Sequence, residues 1–493
     1  MNNEKDIIVG LDIGTTKIAC FIGQRDDNGK VRIIGFGKTE SKGVERGVVK
    51  NIKESAISVS KAVEAASEQA GITVDEVYVG IAGQHIKSTQ NMGSIMIPEN
   101  HKLIQQEDLD RLIEEQRGIM VNPGEDIIHI FPQNFVVDGE ELSPDIAPVG
   151  VAGKQLKANF HIVTGNTINL ININDTVRRA GLKIKGVVLE PIASALAVLD
   201  DNDKSSGVAL VDIGGGTTDI AIFHDGIIRH TSVLPLAGNA ITSDIKDGCK
   251  ILRSQAEALK TRFGSCLPQN VSDNDIISIP GLRNQPPREI SMLTLAKIIK
   301  ARTETILEQV EFEIKKSHLE QSLIAGIVLT GGGAQLRHIK ELTEFTTGID
   351  TRIGLPNEHL DKDTDPEIIN TMYSTGIGLV LYGFNELDKE RNHTDENSSE
   401  PEQKTTEEPT SNPSNNPFGN MPPIDTNPFG SPDEVETTPP PAPEPKPKPE
   451  PKPKPAKTRI FSQFGDAVQK YFNKIFSDGT IENEGKDNET IDF

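Results

Sequence analysis

The sequence predicts an α/β protein in which one fold occurs twice, so that two related halves face a single cleft. Two observations carry this prediction. Strand–turn–strand segments of one design recur about 200 residues apart, and each half ends in a strand that is followed by a helix. With 493 residues the chain is too long for one hydrophobic core, so at least two domains are expected.

Each half opens with three strands that are joined by short turns. In the first half, a strand at 7–11 leads into a turn at 12–17 with the sequence DIGTTK. In the second half, a strand at 208–211 leads into a turn at 212–219 with the sequence DIGGGTTD. The next turn of each half contains Asp and Gly, which tolerate the positive φ of tight hairpins. The repeat therefore predicts that the two Asp-Ile-Gly turns face each other across the cleft.

Helical segments follow the strands in both halves. One is predicted at 51–70, and its counterpart in the second half lies around 254–263. The units that close the two halves are a strand at 185–189 with a helix at 191–199, and a strand at 324–329 with a helix at 334–345.

The glycine-rich turns are suited to a phosphate ligand. Glycine lets the backbone bring its N–H groups close to a phosphate, and threonine hydroxyls add further donors. A third glycine cluster precedes the predicted helix at 334–345, where the helix dipole would favour an anion. We assign Gly14, Thr15 and Thr16 to the β-phosphate of ATP, Gly214, Gly215, Gly216 and Thr217 to the γ-phosphate, and Gly331, Gly332 and Gly333 to the ribose and α-phosphate.

Aspartates in a phosphate site indicate a metal ion, because a carboxylate repels a phosphate unless a cation such as Mg²⁺ lies between them. Asp12 and Asp212 are therefore predicted to face Mg²⁺ and its waters. Glu190 and Asp212 are the candidate catalytic residues. Glu190 ends a buried strand and opens a helix, where its carboxylate could orient an attacking water or could only interact favourably with the helix dipole.

The roles of three other charged residues stay open at this point. Lys17 could neutralise phosphate charge, but on a strand it could equally point away from the ligand. Glu257 and Lys260 stand three positions apart on a predicted helix, so they could contact adenosine or form an ordinary surface ion pair.

Charge and cysteine content narrow the function classes. The chain has 51 basic and 73 acidic residues, and a net charge of −22 argues against a nucleic-acid partner. Three scattered cysteines fit a reducing compartment. The N-terminus has no signal-peptide pattern, and no apolar run reaches the roughly 20 residues of a membrane span. We therefore expect a soluble cytoplasmic protein whose membrane contact, if any, is peripheral.

Proline dominates the stretch that follows the folded part. Residues 387–456 contain 18 of the 31 prolines and almost no large apolar residues, so this segment is predicted to be a disordered linker. It contains the sequence NPFG twice, at 416–419 and 427–430, which could dock a partner or could arise by chance in a biased tract.

An amphipathic helix is predicted after the linker, at 457–477. Three features favour binding of this helix to a bilayer surface: the aromatic residues on its apolar face, the lysines on its opposite face and the long linker that precedes it. The helix could instead fold back onto the body or pair with another chain, and the acidic tail at 478–493 argues mildly against anionic lipid. The apolar face consists of Ile460, Phe461, Phe464, Val468, Tyr471, Phe472, Ile475 and Phe476.

The three glycine-rich motifs resemble the phosphate-one, phosphate-two and adenosine motifs of the actin, Hsp70 and sugar-kinase superfamily. Between residue 7 and about residue 383 the chain is similar, more narrowly, to the FtsA family of bacterial division actins. The further motifs are SKGV at 41–44, HIFPQ at 129–133, LEPIAS at 189–194 and STGIGL at 374–379. The resemblance implies a duplicated actin-like ATPase fold, in which two ribonuclease H-like halves surround a nucleotide cleft and the first half carries an inserted α+β subdomain.

The resemblance also implies domain boundaries. The first half would comprise 1–83 and 162–205, with 371–386 returning to it, and the second half 206–239 and 325–370. The inserted subdomain would be 84–161, and the small subdomain of the second half 240–324.

The implied function is that of a division adaptor. The family forms ATP-dependent filaments, binds the C-terminal peptide of the division tubulin FtsZ through the small subdomain, and is held at the cytoplasmic face of the membrane by its last helix. The inserted subdomain would recruit other division proteins, and ATP hydrolysis would be slow at most. This chain departs from the family in its proline-rich linker and acidic tail.

Two other classes of the superfamily fit less well. A small-molecule kinase needs a catalytic aspartate in an acceptor pocket, for which no clear candidate exists. An Hsp70-type chaperone needs a C-terminal β-rich domain, where this chain has the predicted linker.

Overall fold

The computed structural model describes residues 6–26, 29–143, 146–272, 274–280, 286–362 and 364–398. The predicted linker from residue 399 onward, the predicted amphipathic helix and the acidic tail lie outside these residues.

The described part contains strands and helices in the alternation of an α/β protein. The strands are β1 (Ile7–Ile13), β2 (Lys17–Arg25), β3 (Val31–Glu40), β4 (Val44–Glu45), β5 (Val48–Val49), β6 (Glu76–Ile81), β7 (Lys87–Met96), β8 (Glu125–Val137), β9 (Glu140–Glu141), β10 (Gln155–Asn166), β11 (Lys183–Leu189), β12 (Val208–Ile213), β13 (Thr218–His224), β14 (Ile227–Leu234), β15 (Ile276–Ile279), β16 (Arg288–Ser291), β17 (Ile327–Thr330) and β18 (Thr351–Ile353). The helices are α1 (Ile52–Ala70), α2 (Gln106–Arg117), α3 (Thr167–Arg179), α4 (Glu190–Val198), α5 (Asp201–Ser206), α6 (Gly238–Cys249), α7 (Arg253–Phe263), α8 (Met292–Lys316), α9 (Ile339–Thr347) and α10 (Ser374–Ser398).

Two five-stranded sheets have the same topology, which confirms the predicted duplication. The first has the strand order β3-β2-β1-β6-β11, and the second has the order β14-β13-β12-β17-β18. In each sheet the first three strands are antiparallel and the last three are parallel. The two turns of interest follow β1 and β12, and both therefore lie at the carboxyl edge of a parallel pair, where α/β folds bind their ligands.

Strand alternation decides which way the two aspartates face. Alternate residues of a strand point to opposite faces. In β1, Val9 and Leu11 belong to the outer core beneath α1 and α3, whereas Ile8 belongs to the core between the two sheets. Asp12 lies on the same face as Ile8, and in β12 the same alternation places Asp212 on the face of Leu210. Both aspartates thus point toward the junction of the halves.

Helices α4 and α10 fill that junction and cross closely. A Cβ added to Gly378 of α10 would lie 1.7 Å from the carbonyl oxygen of Ala193 in α4. A Cβ on Gly376 would lie 2.2 Å from the ring of Phe21 in β2. The glycines of the STGIGL motif are therefore required by helix and strand contacts, and the approach brings Ser194 of α4 near the start of α10.

The first half carries an inserted subdomain of one helix, α2, and a sheet with the order β7-β10-β8-β9. Its predicted end at residue 161 is wrong, because β10 stays paired with β8 to Asn166. The subdomain also contacts β14 of the second half. Gln133 donates 2.7 Å to the carbonyl oxygen of Ile228, and Arg229 donates 2.7 Å to Asn134 Oδ1.

Two predicted boundaries near the end of the body are corrected. The helix after the third glycine cluster does not start at residue 334: a 3₁₀ turn, Gly332–Gln335, comes first, and α9 starts at Ile339 after His338 adopts a left-handed φ of 63°. Consecutive glycines are too poor as helix formers to open an α-helix. The linker does not start at residue 387, since α10 continues to Ser398. Ion pairs Arg25–Asp388 and Asp6–Arg391 hold this extension.

Among the described residues, no helix has an apolar stretch of the length and hydropathy that crossing a bilayer requires.

Two histidines of the inserted subdomain, the buried His161 and the half-buried His129, make stability depend on pH. His161 Nδ1 lies 3.2 Å from Gln90 Nε2, and His161 Nε2 lies 2.9 Å from Thr231 Oγ1. His129 Nε2 accepts a hydrogen bond from the backbone N–H of Leu189 at 3.1 Å. Burial lowers the pKa of each to about 4, because the charged imidazolium is poorly solvated there.

We predict that the His161→Gln protein loses part of this pH dependence. Below the unfolded pKa of about 6.5 the unfolded chain takes up a proton that folded His161 refuses until about pH 4. The stability that neutral His161 contributes is thus present above pH 6.5 and is lost as pH falls. The difference in unfolding free energy between wild type and variant should shrink by about 2 kcal/mol from pH 7 to pH 5. Urea unfolding at both pH values measures it, and a difference that stays constant would contradict the buried neutral histidine.

Candidate functional site

The first turn places a lysine against its own aspartate. Lys17 Nζ lies 2.6 Å from Asp12 Oδ2, and the Asp12 side chain is only 5% exposed. Burial alone would lower the pKa of Lys17, but the carboxylates of Asp12, Asp212 and Glu190 outweigh it and raise that pKa. Of the two alternatives that the sequence left open for Lys17, the structure has the side chain directed into the junction of the halves.

The second turn is held by both helices of the junction. Asp212 Oδ2 accepts a hydrogen bond from Ser194 Oγ at 2.6 Å and another from Thr375 Oγ1 at 3.2 Å. Burial raises the pKa of the Asp212 carboxyl, and the hydrogen bond from Ser194 offsets only part of that rise. The carboxylate therefore connects the second sheet to α4 and α10, the elements that would shift if the halves moved.

The two turns touch each other. A Cβ on Gly215 would stand 1.9 Å from Thr16 Oγ1, and one on Gly216 would stand 2.3 Å from Thr15 Oγ1. Because Asp12 pairs with Ala19 and Asp212 with Asp219, the turns also have equal length. Glycines in the second turn thus make room for threonines of the first. The threonine side chains of the first turn therefore lie directly against the backbone of the second turn.

The third glycine cluster packs against the second turn. Gly331 has a φ of 82°, and a Cβ there would lie 2.2 Å from Asp212 Oδ1. Gly333 packs on Ile213 in the same way, because a Cβ added to Gly333 would lie 2.4 Å from Ile213 Cγ2. Apart from its two neighbours in the chain, no described residue has an atom within 4 Å of the Cβ position of Gly332, which is exposed. Gly331 and Gly333 therefore shape the cluster, while Gly332 presents bare backbone to the space beside the turns.

Glu257 and Lys260 lie immediately behind the second turn. Lys260 Nζ is 2.9 Å from Glu257 Oε2 and donates 3.1 Å to the carbonyl oxygen of Gly238. The N–H of Gly238 in turn donates 3.1 Å to the carbonyl oxygen of Gly214. The Lys260 side chain is 11% exposed, and burial lowers its pKa against the opposing effect of Glu257. The two residues form an ion pair, but not an ordinary surface one.

Asp219 is a site residue that the sequence reasoning missed. The register of β12 with β13 sets it directly opposite Asp212, on the same sheet face. Its Oδ2 accepts from Thr217 Oγ1 at 3.0 Å, while its Oδ1 is buried and has no hydrogen-bond partner among the described residues. The available signal was an aspartate inside an otherwise apolar strand, at the position that Ala19 occupies in the first half.

Four carboxylates therefore gather where the halves meet. Burial raises the pKa of Glu190 well above its ordinary value, and the negative charge of Asp219 is the second-largest cause of this rise. Burial, followed by the charge of Asp212, does the same for the pKa of Asp219. Such mutual repulsion is relieved by a cation. Asp12 completes the set.

The donor set fits Mg²⁺ bound together with a phosphate ligand. Among the described residues, no three His, Cys, Asp or Glu side chains are grouped closely enough to hold a metal ion unaided. Mg²⁺ does not need such a cage, because it keeps several waters and takes one or two carboxylates plus substrate phosphates. The unpartnered Asp219 Oδ1 is an oxygen that such a hydrated ion could satisfy.

Comparison with known proteins decides the family. The family model described as cell division protein FtsA matches residues 209–378, and the model of the SHS2 domain inserted in FtsA matches residues 83–164. Cell division protein FtsA of Pseudomonas aeruginosa is 36% identical over 378 residues, which are 77% of this chain and 89% of the relative. The chain belongs to the FtsA family. The resemblance drawn from the motifs is thereby confirmed.

Other matches agree with this FtsA assignment and with the fold. FtsA of Escherichia coli K12 is 33% identical, and the match covers 77% of this chain and 91% of the relative. FtsA of Borreliella burgdorferi is 35% identical, and the match covers 78% of this chain and 94% of the relative. The Hsp70 protein model matches residues 169–232. The solved PilM-PilN type IV pilus biogenesis complex has a TM-score of 0.54 at 14% identity, covering 77% of this chain and 99% of that one. The predicted actin-like fold with an inserted subdomain is confirmed.

Proposed function

We propose that the protein binds Mg²⁺·ATP between its halves and acts as a filament-forming adaptor in cell division. In this role it attaches the FtsZ ring to the cytoplasmic face of the membrane. The observation that carries the nucleotide proposal is the convergence of both Asp-Ile-Gly turns and the third glycine cluster on one group of carboxylates. Membership of the FtsA family supports the division role.

Each half would bind one part of the nucleotide. Thr15 and Thr16 with the backbone of Gly14 would hold the β-phosphate, and the second turn, 214–217, would hold the γ-phosphate. The third cluster and the Glu257–Lys260 pair would lie toward the ribose and the α-phosphate. A hydrated Mg²⁺ at Asp12 and Asp212 would neutralise phosphate charge when bound, and Lys17 would supply a further positive charge.

Glu190 is the residue best suited to move a proton. Its raised pKa means that burial and neighbouring carboxylates make its charged form unfavourable, so it would accept a proton from a water more readily than a free glutamate. That water would have to lie within hydrogen-bond reach of Oε1 or Oε2. Hydrolysis would be slow and secondary to binding.

Nucleotide binding would be coupled to the relative position of the halves. A ligand held by both turns favours the arrangement in which they approach, by the difference in its affinity for the two arrangements. Asp212 would transmit this arrangement to α4 and α10 through Ser194 and Thr375. We propose that the closed arrangement is the one that assembles into filaments.

The membrane and partner contacts rest on the sequence and the family. The predicted helix at 457–477 would insert its apolar face between lipid headgroups, and the subdomain that contains α6, α7 and α8 would bind the FtsZ C-terminal peptide. The inserted subdomain would recruit later division proteins. One helix would bind lipid reversibly, whereas a filament with many copies gains avidity of roughly 10²–10⁴.

Liposome sedimentation tests the anchor. The double variant Phe464→Glu with Phe472→Glu places two charges on the predicted apolar face and should leave the protein in the supernatant, with nucleotide binding intact. The matched control is Phe418→Glu with Phe429→Glu in the two NPFG repeats, which should still sediment with liposomes when ATP is present. Equal sedimentation of wild type and helix variant would reject the anchor.

A further inference from the structure

A short hairpin with a two-residue tip lies in contact with both glycine-rich turns. Strands β4 and β5 pair directly, and Arg46 and Gly47 form the tip between them, with φ values of 48° and 73°. These are the two left-handed positions of a type I′ turn, where an arginine is uncommon. Val44, Val48 and Val49 are buried, so the hairpin is fixed on the first half.

The tip touches both turns. The N–H of Gly47 donates 3.0 Å to Thr15 Oγ1 in the first turn. A Cβ built on Gly216 in the second turn would lie 2.9 Å from the Cα of Arg46. The hairpin is thus a first-half element that lies against the turn assigned to the terminal phosphate.

The Arg46 side chain has no partner among the residues that the structure describes, although acidic groups are abundant in this protein. It is exposed and lines a cavity of about 400 Å³. The first half contributes Thr15 and Val44 to this cavity, and the second half contributes Gly215 and Gly216 together with Asn239 and Ser243 of α6. A guanidinium at the rim of a cavity between two phosphate-binding turns is placed to meet an anion that both halves share.

We propose that Arg46 recognises the terminal phosphate of a nucleoside triphosphate and so distinguishes it from a diphosphate. This inference rests on the proposed nucleotide site. Arginine suits the task because its planar guanidinium can bind phosphate oxygens through two parallel hydrogen bonds. The β-phosphate is already served by the first turn and Lys17, so the contribution of Arg46 falls on the phosphate that ADP lacks.

The test compares two nucleotides on three full-length proteins. Equilibrium binding of fluorescent ATP and ADP analogues is measured, with Mg²⁺, on wild type, Arg46→Gln and Lys50→Gln. Lys50 is the matched control, since it is an exposed cation close to the same hairpin but does not line the cavity between the halves. Melting temperatures without nucleotide check that all three proteins fold alike.

Arg46→Gln should weaken ATP binding about 10- to 100-fold, the range for a lost hydrogen bond to a charged group, and change ADP binding less than about twofold. Lys50→Gln should leave both affinities unchanged. An equal effect of Arg46→Gln on both nucleotides, or none on either, would overturn the assignment while leaving the nucleotide site intact. A wild-type protein that binds neither nucleotide would overturn both proposals.

Discussion

The Asp212→Asn protein is expected to be more stable than wild type and to bind Mg²⁺·ATP about 100-fold more weakly. Asparagine keeps the size of the side chain and an oxygen that can accept from Ser194 and Thr375. It removes one negative charge from the group of four carboxylates, of which Asp12, Asp212 and Asp219 are buried. Because burial already raises the pKa of Asp212, its ionised form is unfavourable in the protein without ligand. Relief of that repulsion should add about 1 kcal/mol to the free energy of unfolding.

The opposite signs of the two effects make this prediction specific. Urea unfolding without nucleotide measures the stability, and isothermal titration with Mg²⁺·ATP measures the affinity. Asp247→Asn is the control, because that carboxylate is 71% exposed and pairs with the adjacent Lys246. It should change stability by no more than about 0.5 kcal/mol. An Asp212→Asn protein with reduced stability and unchanged affinity would show that the carboxylate is structural.

Much of this site could be predicted from the repeat. A duplicated strand-and-turn pattern implies two equivalent corners, and period-two alternation along β1 and β12 directs Asp12 and Asp212 to one face. The antiparallel pairing of the first three strands in each half follows from the same reasoning, since short turns favour antiparallel neighbours, and the strand–helix units favour parallel pairing for β11 and β17. Strands β6 and β18 were not predicted, so the full order of the two sheets was not either.

What could not be predicted depends on strand register and long-range contacts. Asp219 belongs to the site only because β13 pairs with β12 in a register that sets it opposite Asp212. The Lys260 side chain is largely shielded from solvent because α6 packs beside α7, and a helical pattern in the sequence alone does not reveal this packing. The inserted subdomain meets β14 of the second half through Gln133, a contact between segments about 95 residues apart.

The two boundary errors near the end of the body have local causes. Composition changes only gradually between the body and the first proline after it, at residue 401, and the ion pair of Arg391 with Asp6 allows α10 to run past residue 387. Before α9, three glycines and the left-handed His338 delay the helix. The helix-dipole argument for the third cluster fails for this reason, whereas the close-approach argument applies through Gly331.

Replacing Gly378 by alanine is expected to destabilise the protein strongly. In a helix this substitution normally stabilises by about 1 kcal/mol. Here the added Cβ would lie 1.7 Å from the carbonyl oxygen of Ala193 and 2.3 Å from its carbonyl carbon, and neither backbone atom can rotate away. Forcing α4 and α10 apart should cost about 3 kcal/mol or more, which outweighs the gain in helix propensity.

The damage should reach the cleft, because both helices hold Asp212. Separation of α4 from α10 moves Ser194 and Thr375 relative to each other, although both donate to the same carboxylate oxygen. The Gly378→Ala protein should therefore unfold at lower urea and, at temperatures where it stays folded, bind ATP more weakly than wild type. Gly118→Ala is the matched control: its φ is −87° and the nearest atom to its Cβ position is 3.6 Å away. If both variants unfolded at the same urea concentration, α4 and α10 could not be the rigid junction through which the two halves share one ligand.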